Sequence, residues 1–133
     1  MLKLKIFLHY YYMYQNLLVL PNQPAEHFYG NKEYKITLNI KKKNLKQIFE
    51  KKASQMLFRL NEGNGKAVYM IGVEDNGVCR GIPFEELEKS LENLKKISSI
   101  IDSQIKNINF YKGSEGFIAT IRLIKNLDNL FLI

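Results

Sequence analysis

Lys41, Lys42, Lys43, Lys46, Lys51 and Lys52 place six cations within twelve residues, with Glu50 as the single offset. Such a cluster neutralises several phosphates and gives affinity for a polyanion with little base specificity. The bland alternative is a solvated lysine face. Lys3 and Lys5 add positive charge near the amino terminus, ahead of Tyr10, Tyr11, Tyr12 and Tyr14. Tyrosine rings stack on bases, but the same rings also suit an ordinary apolar strand. The set read as RNA-contacting is the six lysines with Lys3, Lys5, Tyr11 and Tyr12. No aromatic recognition motif of the RNP kind accompanies them, which argues against sequence-specific reading of a single strand.

Other reactive groups point to no chemistry of their own. Glu85, Glu86, Glu88 and Glu92 make an acidic helix face, and carboxylates near a helix start need no further role. Cys79 is the one cysteine, so an intrachain disulfide is impossible; a buried structural thiol in a reducing compartment, the cytoplasm, is expected. His9 and His27 are far apart and make no metal site with it. We expect no catalytic residue, no metal and no cofactor.

The length of 133 residues suits one domain, and 46% apolar with 25% charged residues is globular composition. The net charge of +7 is unevenly placed. Residues 1–59 hold eleven basic and three acidic residues, and residues 60–133 hold nine and ten. AT-rich coding bias accounts for Lys over Arg, but not for the asymmetry. A basic half attracts polyanions.

Residues 1–20 are apolar and Tyr-rich. They weakly imitate a signal peptide, but polar residues interrupt the run and no small-residue cleavage site follows. The uninterrupted stretch is too short to span a membrane. It reads as an extension that packs on the domain or inserts into a partner. Residues 21–31, with two prolines and a glycine, read as a linker. Residues 32–125 form the domain and 126–133 a short apolar tail.

Within the domain, Tyr34, Ile36, Leu38 and Ile40 alternate with polar residues as a half-buried strand does. Leu45, Ile48, Phe49, Ala53, Met56 and Leu60 fall at helical spacing, with Asn44 as N-cap and Gly63 as stop. Residues 67–73 read as a strand, Asp75-Asn76-Gly77 as a type I′ turn and residues 78–82 as the returning strand. Pro83 and the glutamates after it open a second helix, buried through Leu87, Leu91, Leu94 and Ile101. Strands near residues 105–111 and 117–124 flank a Gly113–Gly116 turn. The order is β-α-β-β-α-β-β, an α+β fold with a mainly antiparallel sheet and two helices on one face.

The stretches from Gln55 to Gly77 and from Gly81 to Leu91 resemble the N-terminal domain of the GTP-binding protein 1 family, elongation-factor-type translational GTPases. Glu33-Tyr34-Lys35 fits that domain's first strand, and Ala119 to Lys125 matches the strand before the GTPase core. In that family a G domain follows. These 133 residues contain no Gly-x-x-x-x-Gly-Lys-[Ser/Thr]. At Gly65-Lys66, Leu60 replaces the first glycine and Ala67 the hydroxyl, so neither the phosphate cradle nor the magnesium ligand is present. The expectation is a front domain, either standing alone or cut from a longer protein, without nucleotide binding of its own.

The Ile71-Gly-Val-Glu-Asp-Asn-Gly77 hairpin, with Gly81 and a Glu-Glu-Leu helix, also resembles the Schlafen/AlbA-type domain. Nucleases of that type use two glutamates and an aspartate, a cluster suited to metal-assisted hydrolysis. Glu33 matches the second glutamate and Asp75 the aspartate, but Phe28 stands in place of the first. In structural terms alone, Glu33 is an exposed strand residue and Asp75 a turn former. Three functions follow as expectations. The favoured one is a non-enzymatic factor binding ribosomal RNA and proteins, not membrane, that inhibits or protects idle ribosomes as a hibernation or dormancy factor does. The others are a minimal Schlafen-like RNase acting on tRNA or rRNA, and a protein-interaction adaptor docking through its apolar tails.

Overall fold

The computed structural model describes residues 2–41 and 43–127. The elements run α1 (Leu2–Asn16), β1 (Lys32–Lys35), α2 (Leu45–Glu62), β2 (Lys66–Ile71), α3 (Phe84–Ile100), β3 (Gln104–Lys112) and β4 (Phe117–Ile124). The strands form one sheet in the order β1-β2-β4-β3. β1 and β2 are parallel, joined through α2, and the other two pairings are antiparallel. The class is the expected α+β.

Alternation along the strands decides what faces the helices. Ala67, Tyr69 and Ile71 of β2 and Ala119, Ile121 and Leu123 of β4 share a core with Met56 and Leu60 of α2 and Leu87, Leu94 and Ile97 of α3. The intervening Met70 and Ile118 point to the other face, where they meet Tyr34, Val73 and Cys79. α2 and α3 therefore cover one face together. Each fully buried Leu, Ile or Met contributes roughly 1.5–3 kcal/mol, which makes this layer the main stabilising one.

The second face is covered by extended chain. Lys112 N–H donates to the Leu18 carbonyl at 2.9 Å, and Leu20 N–H donates to the Lys112 carbonyl at 3.1 Å. Leu20 packs on the second cluster. Gln23 N–H then donates to Gly77 O and Glu26 N–H to Asp75 O. The Asn22 amide oxygen accepts Cys79 N–H at 2.9 Å. The first half of the stretch read as a linker, residues 21–26, is thus bonded to the 75–79 turn.

The element order corrects the expected β-α-β-β-α-β-β in three places. Residues 2–16 form a helix, because Tyr10, Met13, Tyr14 and Leu17 recur at helical spacing and pack against the main core. β1 stops at Lys35, where its neighbour β2 ends: the Lys35 carbonyl accepts Gly72 N–H, and Gly72 turns away at φ 94°. Residues 78–82 form no strand, because their pairing is split between partners: Gly81 N–H goes to Gly72 O, and Ile82 exchanges both bonds with Phe117. The turn before them is not type I′, which needs positive φ at both central residues. Gly77 N–H closes on Glu74 O across Asp75 and Asn76, and Gly77 alone of the three has positive φ, at 92°.

Smaller caps also differ. Asn44 stands at the α2 N-cap, but in the left-handed region at φ 67° and without a side-chain cap bond. Pro83 is the α3 N-cap rather than its first helical residue. Of the carboxy-terminal tail, residues 128–133 lie outside the described residues.

Candidate nucleic-acid interface

Ile48, Lys51, Lys52 and Gln55 stand at i, i+3, i+4 and i+7 on α2, so they share one helix face. Opposite them the chain from Thr37 to Lys41 leaves β1 and crosses the end of the helical layer. Between the two lies an open groove of about 660 Å³. Lys35, Lys41, Lys51 and Lys52 line it, with Leu38, Ile40 and Ile48 as its apolar part. No acidic residue is among the described residues that line it.

The outer wall is held by a chain of hydroxyls. Ser90 Oγ donates to the Glu86 carbonyl at 2.8 Å and accepts Leu38 N–H at 2.9 Å. With the Ser90 proton so committed, Thr37 Oγ1 is the donor in its 3.3 Å contact to Ser90 Oγ. Thr37 Oγ1 in turn accepts Asn39 N–H at 3.0 Å. The Asn93 amide donates to the Leu38 carbonyl at 2.7 Å. These bonds fix the backbone of residues 37–39 on α3 and set the groove's width. Leu38 meanwhile drops its side chain into the core at 1% exposure.

Of the six clustered lysines, Lys41, Lys51 and Lys52 line the groove. Lys43 and Lys46 are exposed beside it, and Lys42 lies outside the described residues. Lys35 was not read as a site residue. It lies on the same segment six positions before Lys41, with its ammonium 3.4 Å from Glu33 Oε2. Lys3, Lys5, Tyr11 and Tyr12 are exposed on α1, which docks elsewhere. Tyr14 Oη donates to the Gly113 carbonyl at 2.7 Å, and Tyr10 and Tyr14 pack on Phe84 and Phe117 respectively. The two halves of the expected RNA-contacting set therefore sit on separate elements.

The carboxylates form a second recess, of about 490 Å³, lined by Glu26, Glu33, Asp75, Arg59, Gln55 and the aromatic rim of His27, Phe28 and Phe58. Glu33 is not the exposed strand residue expected: it is 2% exposed and pairs with Arg59 Nε at 2.9 Å. The rest of the Arg59 guanidinium donates to the carbonyls of His27, Phe28 and Gly30. Glu26, which no motif marked, joins them. Its carboxylate accepts Tyr34 N–H. Burial first, then the nearby Glu33 and Asp75 charges, push its pKa above the usual glutamate value, against the Tyr34 bond and Arg59. The cation already within this recess is Arg59. Among the described residues no group of three or more His, Cys, Asp or Glu is placed to hold a metal ion.

Cys79 is buried, and burial raises its pKa. Its thiol donates to the Pro21 carbonyl at 3.3 Å. Among the described residues no helix is long and apolar enough to cross a membrane.

The chain is similar to GTP-binding protein 2 of Mus musculus and of Homo sapiens, with 43% identity over 86 residues in each case. The match takes in 64% of this chain but only 14% of the length of either relative. It supports the relationship to GTP-binding proteins that the motifs carry, and lends nothing to the Schlafen/AlbA likeness. No protein-family model matches the chain. No solved structure matches it either.

Proposed function

We propose that this domain is a non-enzymatic factor that binds the ribosome through its lysine-lined groove, and that it inhibits or protects idle ribosomes by occupying a tRNA or factor site. The observation that carries the proposal is the segregation of charge. Lys35, Lys41, Lys51 and Lys52 share a groove without an acidic lining residue, while Glu26, Glu33 and Asp75 gather in a separate recess. Lys35 also pairs with Glu33 at 3.4 Å, and the clustered positive charge of the groove lining attracts phosphates. The resemblance to a translational GTPase's front domain supplies the link to the ribosome.

Sucrose-gradient sedimentation of cell extract at low and high salt tests the proposal. The protein is expected with ribosomal particles at low salt and released at high salt, and Lys41→Glu/Lys51→Glu is expected at the top throughout. A wild-type protein found only at the top at low salt removes the ribosome reading.

A metal-dependent RNase is the second reading, since Glu26, Glu33 and Asp75 line one recess, although among the described residues they are not placed as a metal-holding group. Against it stands Arg59, whose guanidinium pairs with Glu33 and lies 4.0 Å from Glu26. That reading requires RNA cleavage with magnesium or manganese, lost in Glu33→Ala. Intact RNA after incubation of the wild type with either metal disposes of it.

A further inference from the structure

Phosphate contact alone does not account for how the groove is built. A surface that only neutralises phosphates needs lysines on a convex or flat face. Here the lysines border a concavity whose interior is apolar: Leu38 is buried, and Ile40 and Ile48 are half-buried. Thr37, Asn39 and Gln55 lie between the two, so amide donors and acceptors stand next to the apolar part. The volume of about 660 Å³ falls within the roughly 300–1,000 Å³ of small-ligand sites. One wall is fixed in advance by the Ser90 and Asn93 bonds to residues 37–39, so closing on a ligand costs little ordering there.

From this combination we infer that the groove holds one unpaired nucleotide of an RNA strand. The base lies on Ile40 and Ile48, the Asn39 and Gln55 amides meet its edge, and Lys41 and Lys51 hold the neighbouring phosphates. Extruded bases are seated between aromatic or apolar side chains and held through hydrogen bonds to their edges. A duplex has its bases stacked and paired inside, so it would engage the lysines and leave the apolar part uncovered. The inference rests on the RNA-binding reading above and adds which form of RNA is bound. A free nucleotide offers the same base and phosphate chemistry, and the test separates the two sources.

The test uses the full chain and fluorescence anisotropy. The probes are a labelled single-stranded RNA octamer and an RNA hairpin of equal phosphate count, at matched salt, with free GMP and ATP as competitors. The strand is expected to bind about tenfold more tightly than the hairpin. Ile48→Ala is expected to weaken the strand about five- to tenfold, leaving hairpin affinity and the salt dependence unchanged. Gln55→Ala, on the same helix face but not in the core, is expected to act in the same direction, so the result does not depend on one partly buried position. Lys51→Ala is expected to weaken both RNAs and flatten the salt dependence. Equal affinity for strand and hairpin, or full strand affinity in both Ile48→Ala and Gln55→Ala, overturns the inference. Displacement of the strand by GMP or ATP at micromolar concentration also overturns it and assigns the groove to a free nucleotide. Sedimentation of the wild type with ribosomes beside equal affinity for strand and hairpin would mean that the ribosome reading stands and the groove inference fails. Strand-selective binding without ribosome sedimentation means the reverse.

Discussion

At the scale of single residues, Arg59 carries the largest share of buried polar organisation. It is 4% exposed, is charged, and satisfies Glu33 and three backbone carbonyls at once. Replacing it with methionine keeps the packing volume but leaves Lys35 as the cation near Glu33 and leaves three carbonyls without their donor. Removing one partner of a buried pair costs about 3–5 kcal/mol, so Arg59→Met is expected to lower urea stability by that amount. Arg59→Lys is expected to recover only part, because a point charge cannot reach three carbonyls. Glu26 gives the pH prediction. Its folded-state pKa is raised, chiefly by burial. The stability it contributes is therefore present below the usual glutamate pKa and is lost as pH rises through the folded value. Glu26→Gln imitates the protonated form and still offers an oxygen to Tyr34 N–H. Thermal melts from pH 4 to 7 are expected to show the variant at least as stable as wild type at neutral pH, with the difference closing toward pH 4. A variant less stable at pH 7 than at pH 4, relative to wild type, contradicts the assignment.

At the scale of elements, the groove depends on α3 as much as on the lysines. Ser90→Ala removes the acceptor for a buried backbone N–H, that of Leu38. An unmet buried donor costs roughly 1–3 kcal/mol, so stability is expected to fall by that amount. RNA affinity is expected to fall as well, although Ser90 does not line the groove. Hydrogen exchange at Leu38 and Asn39 would report the loosening directly; unchanged protection there would mean that the hydroxyl chain does not hold the wall. Legibility in the sequence also divides by element. α2 and α3 each bury one face and show it as a period of 3.6, while β2 and β4 bury residues on both faces of the sheet and read as short apolar runs. α1 hides its period, since Leu4, Ile6, Leu8, Tyr11 and Tyr12 are apolar yet exposed, and mask the Tyr10, Met13, Tyr14, Leu17 stripe. Residues 78–82 carry a strand composition whose pairing is decided by Gly72 and Phe117, which no local pattern reveals. The groove is half legible: the Lys41–Lys52 cluster is visible in sequence, but Lys35 joins its lining, and Ser90 supports its wall, only through tertiary packing. The Glu33–Arg59 pair spans 26 positions and was not legible at all.

At the scale of the whole molecule, the residues before Lys32 are packed on and bonded to those after it. Residues 17–31 cover the Tyr34, Met70, Val73, Cys79 and Ile118 face and supply the carbonyls that Arg59 binds. A fragment starting at Leu17 is expected to unfold cooperatively at a reduced midpoint, having lost only the α1 contacts. A fragment starting at Lys32 is expected to lack a cooperative transition and to aggregate, because both the face and the Arg59 charge are uncovered. Circular dichroism melts of the two fragments decide this, and a cooperative melt from the shorter one sinks it.

The pairing of Leu18 and Leu20 with Lys112 has a consequence for how the chain is made. The extended segment around Leu18 and Leu20, a strap across the sheet, leaves the exit tunnel well before Lys112, the strand residue on which it docks. At about 5–20 residues per second, the intervening stretch takes roughly 5–20 s to synthesise. During that interval α1 and the strap have no native surface to rest on, and their apolar side chains face whatever is nearby. Docking of this segment is thus timed by the emergence of β3, and a nascent chain stalled short of β3 would present its apolar side chains unguarded.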